Sequence, residues 1–170
     1  MIIENLAPPA RAAAPPTSFV MLSDQELVVL LIDDCQEDQL LFQAACRRAA
    51  VPIRWQAADS PTSAFAYFER LLSAPGDKQA IWPDIVVLDL IMPGGNGTMV
   101  IEFMRKHEKL RHIPIVVLSG TPSPAILAQT AALAPDLLLP KPLFFSQLVE
   151  IVSQLYQRFG MKAAESGRQG

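Results

Sequence analysis

The chain has 170 residues, enough for one domain with short segments at its ends. Apolar residues make up 51% and charged residues 18%, so a mostly disordered chain is excluded and a large core is favoured. The formal net charge of -3 predicts no strongly basic surface, and we therefore expect no nucleic-acid partner.

Membrane insertion is not expected, although the mean hydropathy is +0.26. The apolar runs at 85–88 and 115–118 end at Asp89 and Ser119. Both runs are far shorter than the roughly 20 residues that a membrane span requires. Early prolines after Glu4 are also atypical of a signal peptide. The predicted location is the cytoplasm, with no membrane partner.

Two terminal segments are predicted to lie outside the folded domain. Residues 1–26 are rich in proline and alanine, which is typical of an extended, poorly ordered segment. Residues 160–170 are mostly small and polar, which is typical of a flexible tail. The folded domain is predicted to span 27–159.

Apolar strands alternate with helices along the folded domain. Strands are predicted at 27–32, 53–57, 84–88, 113–118 and 136–139. Helices are predicted at 36–50, 60–72, from the glycines at 94–97 to about 106, at 122–133 and at 143–159. In the first helix the spacing assigns Leu40, Leu41, Ala44 and Ala45 to the core.

This alternation predicts an α/β fold with a doubly wound parallel sheet. For a domain of this length we expect the flavodoxin-like arrangement, with strand order 2-1-3-4-5 and helices on both faces. Ligands of such sheets bind at the carboxyl ends of the strands, so the residues at those ends are the candidates for function.

Polar residues stand at four of these strand ends. Asp33 and Asp34 follow the first strand, Asp89 follows the third, Ser119 the fourth and Lys141 the fifth. One such aspartate alone is typical of a turn or helix cap. Three converging carboxylates repel each other, however, and a hard divalent cation such as Mg2+ relieves that repulsion. The pattern therefore favours a cation site at this edge.

Four segments carry a resemblance to a known family. They are Leu-Leu-Ile-Asp-Asp at 30–34, Val-Leu-Asp-Leu-Ile-Met-Pro at 87–93 followed by Gly97, Val-Val-Leu-Ser-Gly at 116–120 and Leu-Pro-Lys-Pro at 139–142. In this order and spacing they resemble the receiver domain of two-component response regulators. The loop at 73–83 is most similar to that of single-domain regulators associated with phytochrome-type kinases.

The resemblance implies a role for each residue of the set. Asp89 would be the phosphoacceptor, Ser119 would hydrogen-bond the phosphoryl group, and Lys141 would pair with it. Asp34 and Asp89 would bind Mg2+ directly, and Asp33 would bind it through water. Positioning and charge neutralisation are what phosphoryl transfer mostly requires, so these residue types suit the reaction.

The resemblance also concerns three further positions. The backbone carbonyl of Ile91 would be a ligand of the cation. The side chains of Ile91 and Thr121 would flank the route of the hydrolytic water, and an apolar branched residue at 91 predicts slow hydrolysis. The bond between Lys141 and Pro142 would be cis.

Two departures from the family pattern concern the output of the domain. Leu138 stands where the family often has Tyr or Phe, which puts the aromatic part of the switch in doubt. Phe144 stands where a capping residue is common. The last helix is apolar on more than one face, through Phe144, Phe145, Leu148, Ile151, Val152, Leu155, Tyr156 and Phe159. These residues are predicted to be core, or alternatively to form a homodimer or partner surface with the fourth helix and fifth strand.

The expected function is that of a signalling protein that accepts a phosphoryl group from a histidine kinase, with Mg2+ as cofactor. It would catalyse only its own phosphorylation and dephosphorylation, and its output would be protein–protein contact or onward phosphotransfer. One alternative is a receiver-like scaffold that is independent of phosphorylation. The other is a haloacid-dehalogenase-type phosphatase, which requires an acid two residues after its nucleophile, where this chain has Ile91.

Overall fold

The computed structural model describes residues 26–73, 80–93, 95–120 and 123–160. Except for Glu26 and Gly160, the predicted terminal segments lie outside the described residues, so their character stays a prediction. Thr121 and the central part of the loop predicted at 73–83 also lie outside them.

The predicted strands and helices are all present, with small shifts of their ends. The strands are β1 (Leu27–Ile32), β2 (Ile53–Ala58), β3 (Ile85–Leu88), β4 (Ile91–Met92), β5 (Gly95–Asn96), β6 (Ile115–Ser119) and β7 (Leu137–Pro140). The helices are α1 (Gln36–Ala49), α2 (Pro61–Ser73), α3 (Thr98–Lys106), α4 (Pro124–Ala132) and α5 (Phe145–Leu155), and α5 continues into a π-helical turn over Tyr156–Gly160.

Five parallel strands form the main sheet in the order β2-β1-β3-β6-β7. The short strands β4 and β5 form a separate antiparallel hairpin, so the five sheet strands follow the predicted order 2-1-3-4-5. Every residue of β3 and β6 is buried, which explains why these strands are continuous apolar runs.

Two hydrophobic layers cover the sheet. On one face, Phe68 of α2 and Met104 of α3 pack with Leu88 of β3. On the other face, Phe42 of α1 and Val152 of α5 pack with Val87 of β3. Successive residues of a strand point to opposite faces, so both layers of helices are needed to bury the central strands. The predicted doubly wound architecture is confirmed.

The predicted core face of α1 is wrong at three of its four positions. Leu40 is 63% exposed, Leu41 is 46% exposed, and Ala44 is also exposed. Only Ala45 is buried as predicted, between Phe42 and Cys46. Phe42, Ala45 and Cys46 have the helical spacing i, i+3, i+4, and this stripe rather than the leucine pair contacts the sheet.

The apolar residues of the last helix divide between core and surface. Leu148, Val152, Leu155, Tyr156 and Phe159 are buried, whereas Phe144 is 66% exposed and Phe145 is also exposed. The helix is capped from within, because the side-chain oxygen of Gln147 accepts hydrogen bonds from the N–H groups of Leu143 (3.1 Å) and Phe144 (3.2 Å). This bond explains how a phenylalanine can occupy the position before the helix.

No helix within the described ranges has the length and apolar character needed to cross a membrane.

Candidate functional site

Backbone hydrogen bonds hold the predicted site residues at the carboxyl ends of the parallel strands (the carboxyl edge of the sheet). The N–H of Asp33 donates to the carbonyl of Ala58 (3.0 Å), and the N–H of Asp89 donates to that of Ile32 (2.9 Å). On the other side, the N–H of Lys141 donates to the carbonyl of Ser119 (2.7 Å). Each of these candidate side chains therefore projects from backbone that continues the hydrogen bonding of the sheet, which is a rigid support.

Three carboxylates converge at this edge. One side-chain oxygen from each of Asp33, Asp34 and Asp89 lies within 4.8 Å of the others. Asp33 is 4% exposed and Asp89 is 7% exposed, so water screens their repulsion only weakly. Oxygen ligands in a compact acidic group are the donor set that Mg2+ prefers, so the residues present fit the cation that the sequence predicts.

Lys141 contacts two of these carboxylates and one further carboxylate. Its Nζ lies 2.7 Å from Oδ2 of Asp89, 2.9 Å from Oδ2 of Asp33 and 2.7 Å from Oδ2 of Asp38. Burial acts against the charged ammonium, but the hydrogen bonds to the three carboxylates outweigh it and raise the pKa of Lys141 above its ordinary value. The lysine is therefore a fixed positive charge beside Asp89.

Asp38 is the site residue that sequence reasoning missed. An acidic residue in the first turn of a helix is ordinarily explained by the helix dipole, and that explanation hides a second role. The signal was its position five residues after Asp33, in the first turn of α1, next to the strand end that carries Asp33. Whether a first-turn carboxylate reaches a lysine 103 residues later depends on the tertiary fold.

Asp33 is held at both of its oxygens. Oδ1 accepts the N–H of Cys35 at 2.9 Å, and Oδ2 accepts from Lys141. Burial raises the pKa of the Asp33 carboxyl above its ordinary value, although the bonds from Lys141 and Cys35 favour the charged form. A cation at the acidic cluster would supply the positive charge that this carboxylate still lacks.

Asp89 is also oriented at both oxygens. Oδ1 accepts the N–H of Ile91 at 3.1 Å, and Oδ2 pairs with Lys141. The side chain of Ile91 is 52% exposed at the start of the β4–β5 hairpin. The assigned role of the Ile91 carbonyl as a cation ligand stays a prediction.

Gly97 shows why the sequence has a glycine close to the candidate phosphoacceptor. A Cβ built at this position would collide with the carbonyl oxygen of Asp89 and lie 3.0 Å from Cα of Leu90. The N–H of Gly97 donates to the carbonyl of Leu90 at 2.9 Å. The hairpin can therefore fold back against the Asp89 backbone only without a side chain at residue 97.

The hydroxyl of Ser119 stands out because it is fully buried without a partner. Ser119 is 1% exposed, and its Oγ has no hydrogen-bond partner among the described residues. A buried hydroxyl in this condition costs about 1–3 kcal/mol relative to a satisfied one. Its place at the end of β6, next to β3, fits a hydrogen bond to a group carried by Asp89.

Two expectations from the resemblance have different outcomes near Lys141. The part of the chain that the structure describes contains no cis peptide bond, so the Lys141–Pro142 bond is trans and the expected cis bond is wrong.

Leu138 is half-buried and packs against the core layer that contains α2 and α3, in register with Val117. The aromatic position of the family is thus occupied by an aliphatic residue that belongs to the core.

The profile of the response regulator receiver domain matches residues 29–153. The chain belongs to the response regulator receiver family. Phosphate regulon transcriptional regulatory protein PhoB of Escherichia coli (strain K12) is 27% identical to this receiver over 84 residues, which are 49% of this chain and 37% of that protein. The receiver thus spans little more than a third of that relative.

Solved structures share the fold of this receiver. The phosphorylated cyanobacterial phytochrome response regulator RcpA has a TM-score of 0.67 and 26% identity, over 79% of this chain and 94% of that chain. Response regulator RPA3017, from red light signaling of R. palustris, has a TM-score of 0.67 and 25% identity, over 76% and 91%. The resemblance to phytochrome-associated response regulators is therefore confirmed.

Proposed function

We propose that this receiver accepts a phosphoryl group on Asp89 from a histidine kinase in the cytoplasm, in a reaction that depends on Mg2+. The observation that carries the proposal is the juxtaposition at Asp89. Its buried carboxylate lies 2.7 Å from Lys141 and within 4.8 Å of two further carboxylates. Grouping buried like charges lowers the stability of the fold, so a purely structural role does not explain this arrangement.

The transfer forms one bond and breaks another. A carboxylate oxygen of Asp89 forms a bond to phosphorus, and the bond between phosphorus and the histidine nitrogen of the kinase breaks. The electron pair stays on that nitrogen, which takes a proton from water. Lys141 neutralises charge on the phosphoryl oxygens, and the Ser119 hydroxyl donates a hydrogen bond to one of them.

The cation would be held by the acidic cluster. We assign direct ligation to Asp34 and Asp89, a contact through water to Asp33, and a further ligand to the carbonyl of Ile91. When bound, Mg2+ supplies charge neutralisation for the oxygens of the transferred group.

Separate observations support the proposed partners and output. Similarity to RcpA, a phytochrome response regulator, and to RPA3017, a response regulator in red light signaling, supports a phytochrome-like kinase as the donor. We propose that the output is protein–protein contact or onward phosphotransfer, with the face of α4, β7 and α5 as a candidate homodimer surface. The receiver would catalyse only its own phosphorylation and dephosphorylation, with Ile91 and Thr121 as modulators of hydrolysis.

The test is phosphoryl uptake from acetyl phosphate, followed by intact mass and peptide mapping. We expect one phosphoryl group per chain in the presence of Mg2+, located on Asp89, and none when the cation is removed with a chelator. Asp84→Asn is the matched control, because Asp84 lies at the opposite end of the same strand. If the parent shows no uptake, the scaffold alternative replaces this proposal. If Asp89→Asn retains uptake, the assignment of Asp89 as the phosphoacceptor is wrong.

A further inference from the structure

The ammonium group of Lys141 has a full set of hydrogen-bond partners. A lysine has three N–H donors, and three carboxylate oxygens lie within 2.9 Å of Nζ. Asp33 and Asp89 belong to the acidic cluster, whereas Asp38 does not. Asp38 is therefore the one of the three partners that stands outside the group of residues that can hold a cation.

The difference between Asp38 and the two cluster aspartates affects Lys141 when a cation is bound. The cation neutralises the attraction of Asp33 and Asp89 for the ammonium and repels the ammonium itself. Asp38 lies outside the cluster and is not neutralised by a cation ligand bond, and its side chain is only partly exposed, so water weakens the attraction less than at an open surface. Among the described residues, Asp38 is the only carboxylate outside the acidic cluster that pairs with Nζ.

We propose that Asp38 is a positioning residue that keeps the Lys141 ammonium beside Asp89 when the acidic cluster holds a cation. This inference rests on the proposed phosphoryl transfer to Asp89 and adds a requirement to it. The lysine must stay within reach of the incoming phosphoryl group, and α1 supplies the carboxylate that retains it. Asp38 acts through Lys141 and has no contact of its own with the transferred group.

The first measurement is the rate of phosphoryl uptake from acetyl phosphate at saturating Mg2+. We expect Asp38→Asn to lower the maximum rate about five- to tenfold, the effect of replacing one charge-assisted hydrogen bond with a neutral one, with little change in the acetyl phosphate concentration at half-maximal rate. Asp38→Glu should recover most of the rate, since it restores the carboxylate.

Glu37→Gln is the matched control. It removes the same charge from the neighbouring position of α1, but the Glu37 carboxylate contacts the thiol of Cys35 at 3.3 Å rather than the lysine. We expect this variant to react at the parent's rate. Equal losses in Asp38→Asn and Glu37→Gln would assign the effect to net charge and overturn the proposal.

A second measurement follows the ammonium directly, without phosphorylation. In spectra of protein labelled with nitrogen-15 lysine, we expect the Lys141 ammonium signal of the parent to persist when Mg2+ is added. In Asp38→Asn we expect Mg2+ to abolish it, because the released ammonium exchanges protons with water. Loss of the signal in both proteins, or persistence in both, would overturn the positioning role.

The outcomes separate the two proposals. A parent that takes up no phosphoryl group contradicts the proposed function and the positioning role together. A parent that reacts at the same maximum rate as Asp38→Asn contradicts the positioning role alone. A slow Asp38→Asn that Asp38→Glu restores, with Glu37→Gln unchanged, supports both.

Discussion

Aspartates lie at both ends of the parallel strands of this receiver, at the amino ends (the amino edge) and at the carboxyl ends (the carboxyl edge). The two sets differ in their hydrogen-bond partners. At the amino edge, Oδ2 of Asp84 accepts the N–H of Val28 (2.7 Å), and Oδ2 of Asp136 accepts the N–H of Ile115 (2.9 Å). Each of these aspartates also donates its own N–H to the carbonyl of the same residue, at 2.8 Å in both cases. At the carboxyl edge, three aspartate side chains face one another.

The comparison shows that aspartates contribute to stability at the amino edge and form the candidate site at the carboxyl edge. The amino-edge carboxylates complete the hydrogen bonds of strand ends, which stabilises the fold. The carboxyl-edge carboxylates repel each other, and the buried hydroxyl of Ser119 has no hydrogen-bond partner among the described residues. The proposed cation and phosphoryl site is therefore expected to lower the stability of the unliganded protein.

The largest expected effect is the loss of phosphoryl uptake in Asp89→Asn. The variant replaces the nucleophilic carboxylate with a neutral amide, so uptake should be abolished while the fold survives. Because one of the mutually repelling charges is removed, we expect the free energy of unfolding to equal or exceed that of the parent. Intact mass and urea denaturation measure the two quantities. A clear loss of stability would mean that Asp89 resembles the amino-edge aspartates.

The next effect concerns the affinity for Mg2+. Asp34→Ala should weaken binding by roughly 100-fold and Asp33→Ala by roughly tenfold, since direct ligation is lost in the first variant and a contact through water in the second. Titration calorimetry is the suitable measurement, because Trp82 precedes Asp84 at the amino edge and is a poor reporter of this site. Equal losses would contradict the division of roles.

At the amino edge, Asp84→Ala should reduce the free energy of unfolding by about 1–3 kcal/mol, because the N–H of Val28 loses its acceptor. Phosphoryl uptake per folded molecule should stay unchanged. Asp84→Asn keeps an acceptor oxygen and should show no such loss of stability. A loss of uptake in Asp84→Ala, under conditions where the protein is folded, would contradict the claim that the amino-edge aspartates contribute to stability alone.

The effect of Ile91→Asn is expected to be a severalfold faster loss of the phosphoryl group. A branched apolar side chain cannot orient water, whereas asparagine can, so the parent should hold its phosphoryl group for on the order of many minutes. Met99→Asn is a matched control, since Met99 is apolar and similarly exposed. Decay of the parent within seconds, or equal decay in Ile91→Asn, would contradict this role.

The smallest effect is a pH dependence at the amino edge. Burial raises the pKa of Asp84 above its ordinary value, although the N–H of Val28 acts in the opposite direction. The carboxyl therefore stabilises the fold most when protonated, and this contribution is lost as the pH rises through the raised pKa. Relative to the parent, Asp84→Asn should therefore gain stability as the pH rises above about 4. A difference in unfolding free energy that is independent of pH would contradict this.

The main features of the receiver could be predicted from sequence because they depend on strong local signals. Continuous apolar strands that alternate with helices define the sheet, and polar residues directly after the strands define the site. The convergence of Asp33, Asp34 and Asp89 follows from strand order alone.

The features that the sequence left open depend on tertiary contacts. Leu40 and Leu41 are as apolar as core residues, and only the packing of α1 against the sheet and α5 shows that Phe42 takes the buried place. The contact of Asp38 with Lys141 and the cap from Gln147 also join residues whose local sequence permits several roles. Each needs the folded geometry to choose among them.

The amino-edge aspartates also affect the register in which neighbouring strands pair. In a strand that is half exposed, the alternation of apolar and polar residues specifies the pairing, but β3 and β6 are buried on both faces and lack that information. A slip by one residue would still bury apolar side chains, yet it would separate Asp84 from Val28. These bonds therefore select one alignment among several that apolar contact alone would accept, and that alignment brings Asp33 and Asp89 level at the opposite edge.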